Sequence, residues 1–247
     1  MLAGINEVLI ISTPRDLPMF RELLGDGKDL GMRFEYIIQE KPNGLAQAFV
    51  LGEKFLDGDS ACLILGDNMF YGQNFSAMLR EAKNIDKGAC IFGYYVRDPR
   101  AYGVVEFDED NKVVSLEEKP DKPKSNYAVP GLYFYDSSVV ERAKALRPST
   151  RGEYEITDLN KTYLEEGSLK VKQFGRGFAW LDTGNADSLL EASNFVETIQ
   201  NRQGLYVSCI EEIAWRNKWI SDEELSQLGV ASEKTAYGKY ILSLLEK

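Results

Sequence analysis

Apolar positions along the first hundred residues follow two alternating rhythms. Short runs rich in β-branched residues predict strands over Asn6–Thr13, Met32–Gln39, Ser60–Asp67 and Lys87–Val96. Between them, apolar residues three and four apart predict helices over Asp16–Leu24, Leu45–Phe55 and Phe75–Lys83. Gly25-Asp26-Gly27 stops the first helix, and Lys41-Pro42-Asn43-Gly44 turns the chain into the second. The run Ser60-Ala61-Cys62-Leu63-Ile64-Leu65-Gly66-Asp67 is apolar until its last residue, the pattern of a strand buried on both faces of a parallel sheet. Strands alternating with helices predict the α/β class, with a doubly wound, mostly parallel sheet.

The pattern changes beyond residue 100. Tyr102–Asp108 and Lys112–Glu118 flank the turn residues Asp108 to Asn111 and predict a β-hairpin. The proline-rich Lys119-Pro120-Asp121-Lys122-Pro123 is a loop, and Tyr127–Tyr135 returns as a strand. Helices are expected over Val139–Leu146 and Ile156–Glu166, strands over Leu169–Phe174 and Gly177–Leu181, and a helix over Ala186–Asn201. Glu211–Asn217, Asp222–Leu228 and Tyr237–Leu245 complete a helical tail. These shifts divide the chain into residues 1–100, 101–185 and 186–247, with no internal repeat.

Composition narrows the chemistry. Among 247 residues, 29 lysines and arginines face 39 acidic residues, a formal charge of −10 that repels nucleic acid and anionic membrane. There is no histidine, which excludes Ser-His-Asp and Cys-His catalysis, histidine-ligated zinc and a histidine general base. Cys62, Cys90 and Cys209 lie far apart with no CxxC pair, so a reducing cytoplasm is expected rather than a disulfide framework. Any metal chemistry must then use carboxylates and a hard cation such as Mg²⁺. No apolar run approaches the roughly 20 residues of a membrane span, and a signal-peptide start is not expected.

Ligands of open α/β sheets bind where strands end. Asp67 follows one apolar strand and Asp182 another; each is either a capping residue or, jointly, a ligand of one Mg²⁺. Gln39 precedes the Gly44 turn, and its amide either complements a nucleobase edge or is an ordinary surface group. Glu118 and Lys119 after the hairpin either serve sugar hydroxyls and phosphate or form a surface ion pair. Arg151, close to Glu153 and Glu155, is equally open.

Six motifs in order carry a resemblance: Gln39…Pro42-x-Gly44-Leu45-Ala46-Gln47-Ala48, Leu65-Gly66-Asp67-Asn68, Tyr102-Gly103-Val104-Val105-Glu106-Phe107-Asp108, Glu117-Glu118-Lys119-Pro120, Gly152-Glu153-Tyr154-Glu155-Ile156-Thr157-Asp158 and Trp180-Leu181-Asp182-Thr183-Gly184. Together they resemble the glucose-1-phosphate thymidylyltransferases, a family of sugar nucleotidyltransferases, over nearly the whole chain. The resemblance implies a Rossmann-like nucleotidyltransferase fold, with a nucleotide-binding part at 1–100, a hairpin-bearing sugar-phosphate part at 101–185 and a helical tail at 186–247. It implies Gln39 and Gly44 at the thymine, Asp67 and Asp182 on Mg²⁺, and Asn68, Tyr102, Gly103, Glu118 and Val129 around the glucose. Lys119 and Arg151 would contact the sugar phosphate, and Trp180 would line the same pocket.

The implied reaction joins dTTP and glucose 1-phosphate into dTDP-glucose and pyrophosphate, toward dTDP-deoxysugars such as rhamnose, in a cytoplasmic homotetramer. Lys119, Arg151, Asp67 and Asp182 would be the catalytic set. Two alternatives stay open: a pyrophosphorylase for UTP or another nucleotide, and a catalytically silent sugar-nucleotide binding module. The second arises because family members open with a strand, a Gly-Gly-x-Gly-Thr-Arg-type loop and a helix, whereas this chain opens with Met1-Leu2-Ala3-Gly4-Ile5, similar to the end of that helix. The first strand of the family fold is then absent, and the expectation is a sheet with open edges, poorly soluble or inactive as expressed alone.

Overall fold

A computed structural model describes residues 1–246. In chain order, the first elements are β1 (Glu7–Ser12), α1 (Leu17–Leu24), β2 (Arg33–Ile38), α2 (Gln47–Leu51), α3 (Glu53–Leu56), β3 (Ala61–Ile64), β4 (Asn68–Tyr71), α4 (Phe75–Lys83) and β5 (Ala89–Tyr95). Next come β6 (Gly103–Phe107), β7 (Val113–Glu118), β8 (Tyr127–Ala128), β9 (Leu132–Tyr135), α5 (Val139–Ala145) and α6 (Ile156–Glu165). The last are β10 (Leu169–Phe174), β11 (Ala179–Asp182), α7 (Ala186–Gln203), α8 (Ile210–Arg216), α9 (Asp222–Ala231) and α10 (Ala236–Ser243). They form two compact units, Met1–Ile38 with Thr183–Lys247, and Gln39–Asp182.

In the first unit β1 and β2 pair in parallel, from Glu7 opposite Arg33 to Ser12 opposite Ile38. Helix α1 carries a proline in its first turn, where the missing N–H costs nothing, and ends at Gly25 with φ +61°. Asn185 and Ser188 form a reciprocal cap on α7, and Ser221 and Glu224 do the same on α9. The tail builds its own core from Cys209, Ala214, Ile220, Leu225, Ile241 and Leu244.

The second unit is a seven-stranded sheet, β3-β9-β5-β8-β6-β7, with β10 on the far side of β5, and a separate β4–β11 ribbon. Strand β5 is buried from Ala89 to Gly93 because it has neighbours on both edges: β9 and then β8 on one, β10 on the other. Side chains alternate along the strands. Ile91, Tyr133 and Tyr135 join Phe49, Val139, Ile156, Leu159 and Tyr163 in the core against α2, α5 and α6. Phe92 turns the other way and stacks on Phe174 at 4.7 Å, and Phe174 stacks on Phe178 at the same distance. The ring of Phe75, on α4, completes this second layer.

The α/β reading holds, but the sheet is not mostly parallel. Among the described residues only β1–β2 and β5–β10 are parallel, and the other six pairings are antiparallel. Strands β3, β5 and β10 do share one direction, as the βα rhythm predicts. The returning strand β9 runs the opposite way between β3 and β5. The expected single strand Tyr127–Tyr135 is two, β8 and β9, interrupted at Val129-Pro130-Gly131, where proline has no N–H for a ladder. This break lets β8 pair with both β5 and β6 and so fuse the hairpin to the sheet. Strand β3 is not buried on both faces, since Ile64 is 56% exposed. Among the described residues β3 pairs with β9 alone and β1 with β2 alone. The expected helix Leu45–Phe55 is broken at Gly52 into α2 and α3.

The buried polar pair in the main core gives a test. The Tyr135 hydroxyl donates to Asn160 Oδ1 at 2.6 Å, with Tyr135 0% and Asn160 2% exposed. Tyr135→Phe leaves that oxygen without its donor and should cost about 1–3 kcal/mol, read as a lower urea midpoint at unchanged slope. Adding Asn160→Leu should recover much of the loss, because two apolar partners leave nothing unpaired.

Candidate functional site

Gln39, Gly44, Asp67, Asn68, Tyr102, Gly103, Glu118, Lys119, Val129, Arg151, Trp180 and Asp182 all lie in the Gln39–Asp182 unit. The break between β8 and β9 organises the first group of them. Gly131 accepts from the Leu65 amide at 2.9 Å and donates to Asn68 Oδ1 at 3.0 Å, pinning the turn that carries Asp67. A side chain at 131 would overlap Leu65, its Cβ coming within 2.5 Å, so glycine is required by this approach. The same Asn68 Oδ1 accepts from Trp180 Nε1 at 2.7 Å, and Asn68 Nδ2 donates to Asp67 Oδ1 at 2.7 Å.

The β4–β11 ribbon sets Asp182 directly opposite Asn68. Asp67 and Asp182 therefore sit one ladder position apart, although 115 residues separate them in sequence (182 − 67). Asp67 lies in the turn before β4, and Asp182 is the last residue of β11 rather than the residue after it. The Tyr102 hydroxyl bonds to the Asp182 carboxylate; burial first, and then that negative charge, push the phenol above its ordinary pKa. The Tyr102 ring packs edge-on against Trp180 at 4.9 Å, with Tyr94 on Trp180 at 5.7 Å.

The second group begins one residue later. Gly103 faces Glu118 across the β6–β7 hairpin, and the Val129 amide donates to Gly103 O at 2.8 Å. Val129 is itself 8% exposed. A Cβ at 103 would lie 3.0 Å from Thr157 Oγ1, tighter than ordinary contact. The Thr157 hydroxyl donates to Glu118 Oε2, and Arg151 Nη2 approaches Glu118 Oε1 at 3.5 Å. Arg151 makes its short bonds to Glu155, through Nε at 3.1 Å and Nη2 at 2.8 Å. Lys119 leaves the hairpin in the left-handed region, φ +42°, with its amide bonded to Tyr102 O at 3.1 Å. Its exposed ammonium makes no ion pair among the described residues, so Glu118 and Lys119 are not the surface pair that adjacency suggested.

The Gly44 turn joins the second group through Tyr154. Tyr154 N–H donates to Asn43 O at 2.7 Å, and the Ala46 amide donates to Tyr154 O at 3.1 Å. Gln39 Nε2 bonds within this turn, to Gly44 O at 3.3 Å and Gln47 Oε1 at 2.8 Å. Sequence reasoning missed Gly131 and Thr157 and left Glu155 undecided. The only signal for Gly131 was a Pro-Gly step inside an expected strand. A groove of about 660 Å³ lined by Lys112, Ser115, Lys161 and Glu165 contains none of the site residues.

For a cation the donor set is two carboxylates. Among the described residues no group of three or more Asp, Glu, Cys or His is arranged so that it could hold a metal ion. Two oxygen donors at one end of a ribbon suit a hard ion that completes its shell with water and phosphate oxygens, which is Mg²⁺ chemistry.

A model of the family described as nucleotidyl transferase matches residues 1–199. A glucose-1-phosphate thymidylyltransferase of Neisseria meningitidis is 56% identical over all 247 residues, which span 86% of that protein. One of Mycobacterium tuberculosis is 54% identical, again over the whole chain and 85% of that protein. Among solved structures, a Bacillus anthracis chain named as a glucose-1-phosphate thymidylyltransferase, in complex with sucrose, superposes with a TM-score of 0.71 at 38% identity, covering 78% of this chain and 77% of that one.

Gly44 tests the turn. Its φ is +101°, and a Cβ there would meet Tyr154 backbone atoms at 2.4 and 2.6 Å. Gly44→Ala should lose about 1–3 kcal/mol to backbone strain alone, with the clash in addition, and should deprotect the Tyr154 amide in hydrogen exchange. Gly152→Ala, at φ +80° in open space, should lose only the strain part.

Proposed function

The chain belongs to the nucleotidyl transferase family, and from that premise we propose that it transfers a thymidylyl group from dTTP to glucose 1-phosphate, giving dTDP-glucose and pyrophosphate. One observation carries the reading: Tyr102, Gly103 and Lys119 link the Asp67–Asp182 pair to the Glu118–Arg151 pair, so metal ligands and phosphate ligands can act on one substrate.

The chemistry suits a chain without histidine. A phosphate monoester is mostly dianionic at neutral pH, because its second pKa is about 6. One of its oxygens attacks the α-phosphorus of the nucleotide, the bond to the bridging oxygen breaks, and pyrophosphate leaves with that electron pair. No proton has to be removed, so no general base is needed. The protein's work is alignment and charge neutralisation. Lys119 and Arg151 take the sugar phosphate, Lys119 as a point charge and Arg151 as a planar fork. Asn68, Tyr102, Gly103, Glu118, Val129 and Trp180 surround the hexose; Glu118, anchored by Thr157, accepts from its hydroxyls. Asp67 and Asp182 would hold Mg²⁺, which when bound neutralises phosphate charge as a Lewis acid.

Gln39 and Gly44 take the base. With Nε2 donating inside the turn, Gln39 offers its amide oxygen, an acceptor for the N3–H that thymine and uracil share. The thymine methyl then adds only about 0.8 kcal/mol, roughly fourfold. We take the reaction to be a step toward dTDP-deoxysugars such as rhamnose. We place it in the cytoplasm, where thiols stay reduced, in keeping with the free thiols of Cys62, Cys90 and Cys209. The family resemblance implies a homotetramer.

Pyrophosphate release from dTTP, dUTP and UTP with glucose 1-phosphate tests the reading. Turnover with dTTP a few-fold above dUTP is expected. Preference for UTP would make the chain a uridylyl transferase, and binding of dTDP-glucose without turnover would make it a binding module. Asp67→Asn and Asp182→Asn keep the side-chain shape and remove one formal charge each. Each should lower Mg²⁺-dependent turnover about 100-fold or more, measured by Mg²⁺ titration; wild-type metal dependence would return both residues to a capping role.

A further inference from the structure

Three carboxylates converge on the Arg151 guanidinium, and they do so unequally. Glu155 takes Nε at 3.1 Å and Nη2 at 2.8 Å, whereas Glu118 and Glu153 each stand 3.5 Å from Nη2. The Glu155 side chain is 8% exposed and the Arg151 side chain 41%. A carboxylate that buried must be paired and hydrogen-bonded, and the surrounding loop is folded to do it. Ser149 Oγ donates to Glu155 Oε1 at 2.7 Å, and the Arg151 amide donates back to Ser149 Oγ at 3.2 Å. Glu155 stands at the N-cap of α6, yet its side chain makes no cap bond to the helix. Its carboxylate is committed to the arginine.

We propose that Glu155 is a positioning residue that presets the Arg151 fork, so that the long contacts to Glu118 and Glu153 are the ones exchanged for the phosphate of the sugar phosphate. The proposal rests on the function proposed above. Guanidinium has five N–H groups in a fixed plane. Glu155 occupies the Nε edge and one Nη2 proton, and Nη1 makes no hydrogen bond among the described residues. The free edge is therefore Nη1 with the second Nη2 proton, a bidentate site for phosphate oxygens. When phosphate takes that edge, Glu118 Oε1 is released from its long contact while Thr157 still holds Oε2. The freed oxygen can accept a sugar hydroxyl. Phosphate recognition and hydroxyl recognition are thus coupled through one weak ion pair. Without the Glu155 charge, Arg151 closes onto Glu118 and Glu153, and both halves of the substrate lose a partner.

Glu155→Gln keeps the side-chain length and an acceptor for Ser149 while removing the charge. Glucose 1-phosphate affinity, by titration of the full chain, should fall about 10-fold, the lower end for one charge-assisted contact. The nucleotide KM should stay unchanged. The Arg151 Nε–H resonance in a ¹⁵N-arginine spectrum, held by Glu155 without any ligand, should be lost in the variant. The affinity loss should vanish when Glu155→Gln is made in an Arg151→Ala background, since a positioning residue acts through its arginine. Unchanged or tighter glucose 1-phosphate binding in Glu155→Gln overturns the proposal, as does a retained Nε–H signal. An equal loss in the Arg151→Ala background also overturns it, assigning Glu155 to the stability of the loop alone. A wild-type chain that binds the nucleotide but shows no affinity for glucose 1-phosphate overturns the functional reading itself, and is distinguished because Glu155→Gln then has nothing to weaken.

Discussion

The side-chain amide of Asn68 is the contact on which the site depends. Its oxygen accepts the Gly131 amide and the Trp180 indole, its nitrogen donates to Asp67, and its backbone lies opposite Asp182. Three pieces of chain distant in sequence meet there. No other side chain of this size supplies both halves: aspartate lacks the donor and would set a second negative charge beside Asp67, while leucine would orphan two N–H groups. Each orphan costs about 1–3 kcal/mol where water cannot reach it. The amide N–H takes up part of the Asp67 charge, while the backbone of the same residue stands opposite Asp182.

From that point the electrostatics alternate across the hairpin. Negative Asp67 and Asp182 lie on one side of Tyr102-Gly103, and on the other Arg151 is surrounded by Glu118, Glu153 and Glu155. In a chain of formal charge −10, the dianionic substrate of the proposed reaction meets a repulsive field, so attractive centres for it must be local. Arg151 and Lys119, the two centres proposed for it, are held in different ways. Arg151 is bonded at short distance to Glu155, with Glu118 and Glu153 farther off, while Lys119 keeps its ammonium in solvent without an ion pair among the described residues. A fork needs preorganisation to act bidentately; a point charge does not.

Much of the fold was legible because local pattern and packing agree. Helix α4 spans Phe75–Lys83, as its periodicity predicts, and the hairpin turn at Asp108 holds itself together through that side chain's bonds to the amides of Asp110 and Lys112. What failed depends on partners far away in the chain. Strand β4 is four residues long and exists by pairing with β11, more than a hundred residues on, so no window contained its cause. The antiparallel β9 reads in sequence like any other apolar strand, and direction is set only by where the chain re-enters the sheet. Site residues were legible as chemical types, and six ordered motifs put them together. Their supports were not: Thr157 is an ordinary helix residue until Glu118 lies against it.

The site is built at three departures from ideal sheet geometry, and this ordering has a physical reason. The Leu65–Asp67 turn interrupts the chain between β3 and β4, Val129–Gly131 interrupts it between β8 and β9, and Lys119 adopts a left-handed backbone at the end of β7. In a strand with neighbours on both edges every amide and carbonyl is consumed by the ladders. Only where the ladder stops can a backbone N–H such as that of Gly131 turn to a side chain. Left-handed φ at a non-glycine costs of order 1–3 kcal/mol and persists only where surroundings impose it. Here the Lys119 amide is tied to Tyr102 O, the residue whose hydroxyl meets Asp182. The same residue therefore holds the backbone from which the lysine leaves the sheet and reaches Asp182 with its hydroxyl. The left-handed backbone of Lys119 is thus held by a bond to the residue whose side chain reaches Asp182, so the strain at the end of β7 and the placing of that phenol share one support.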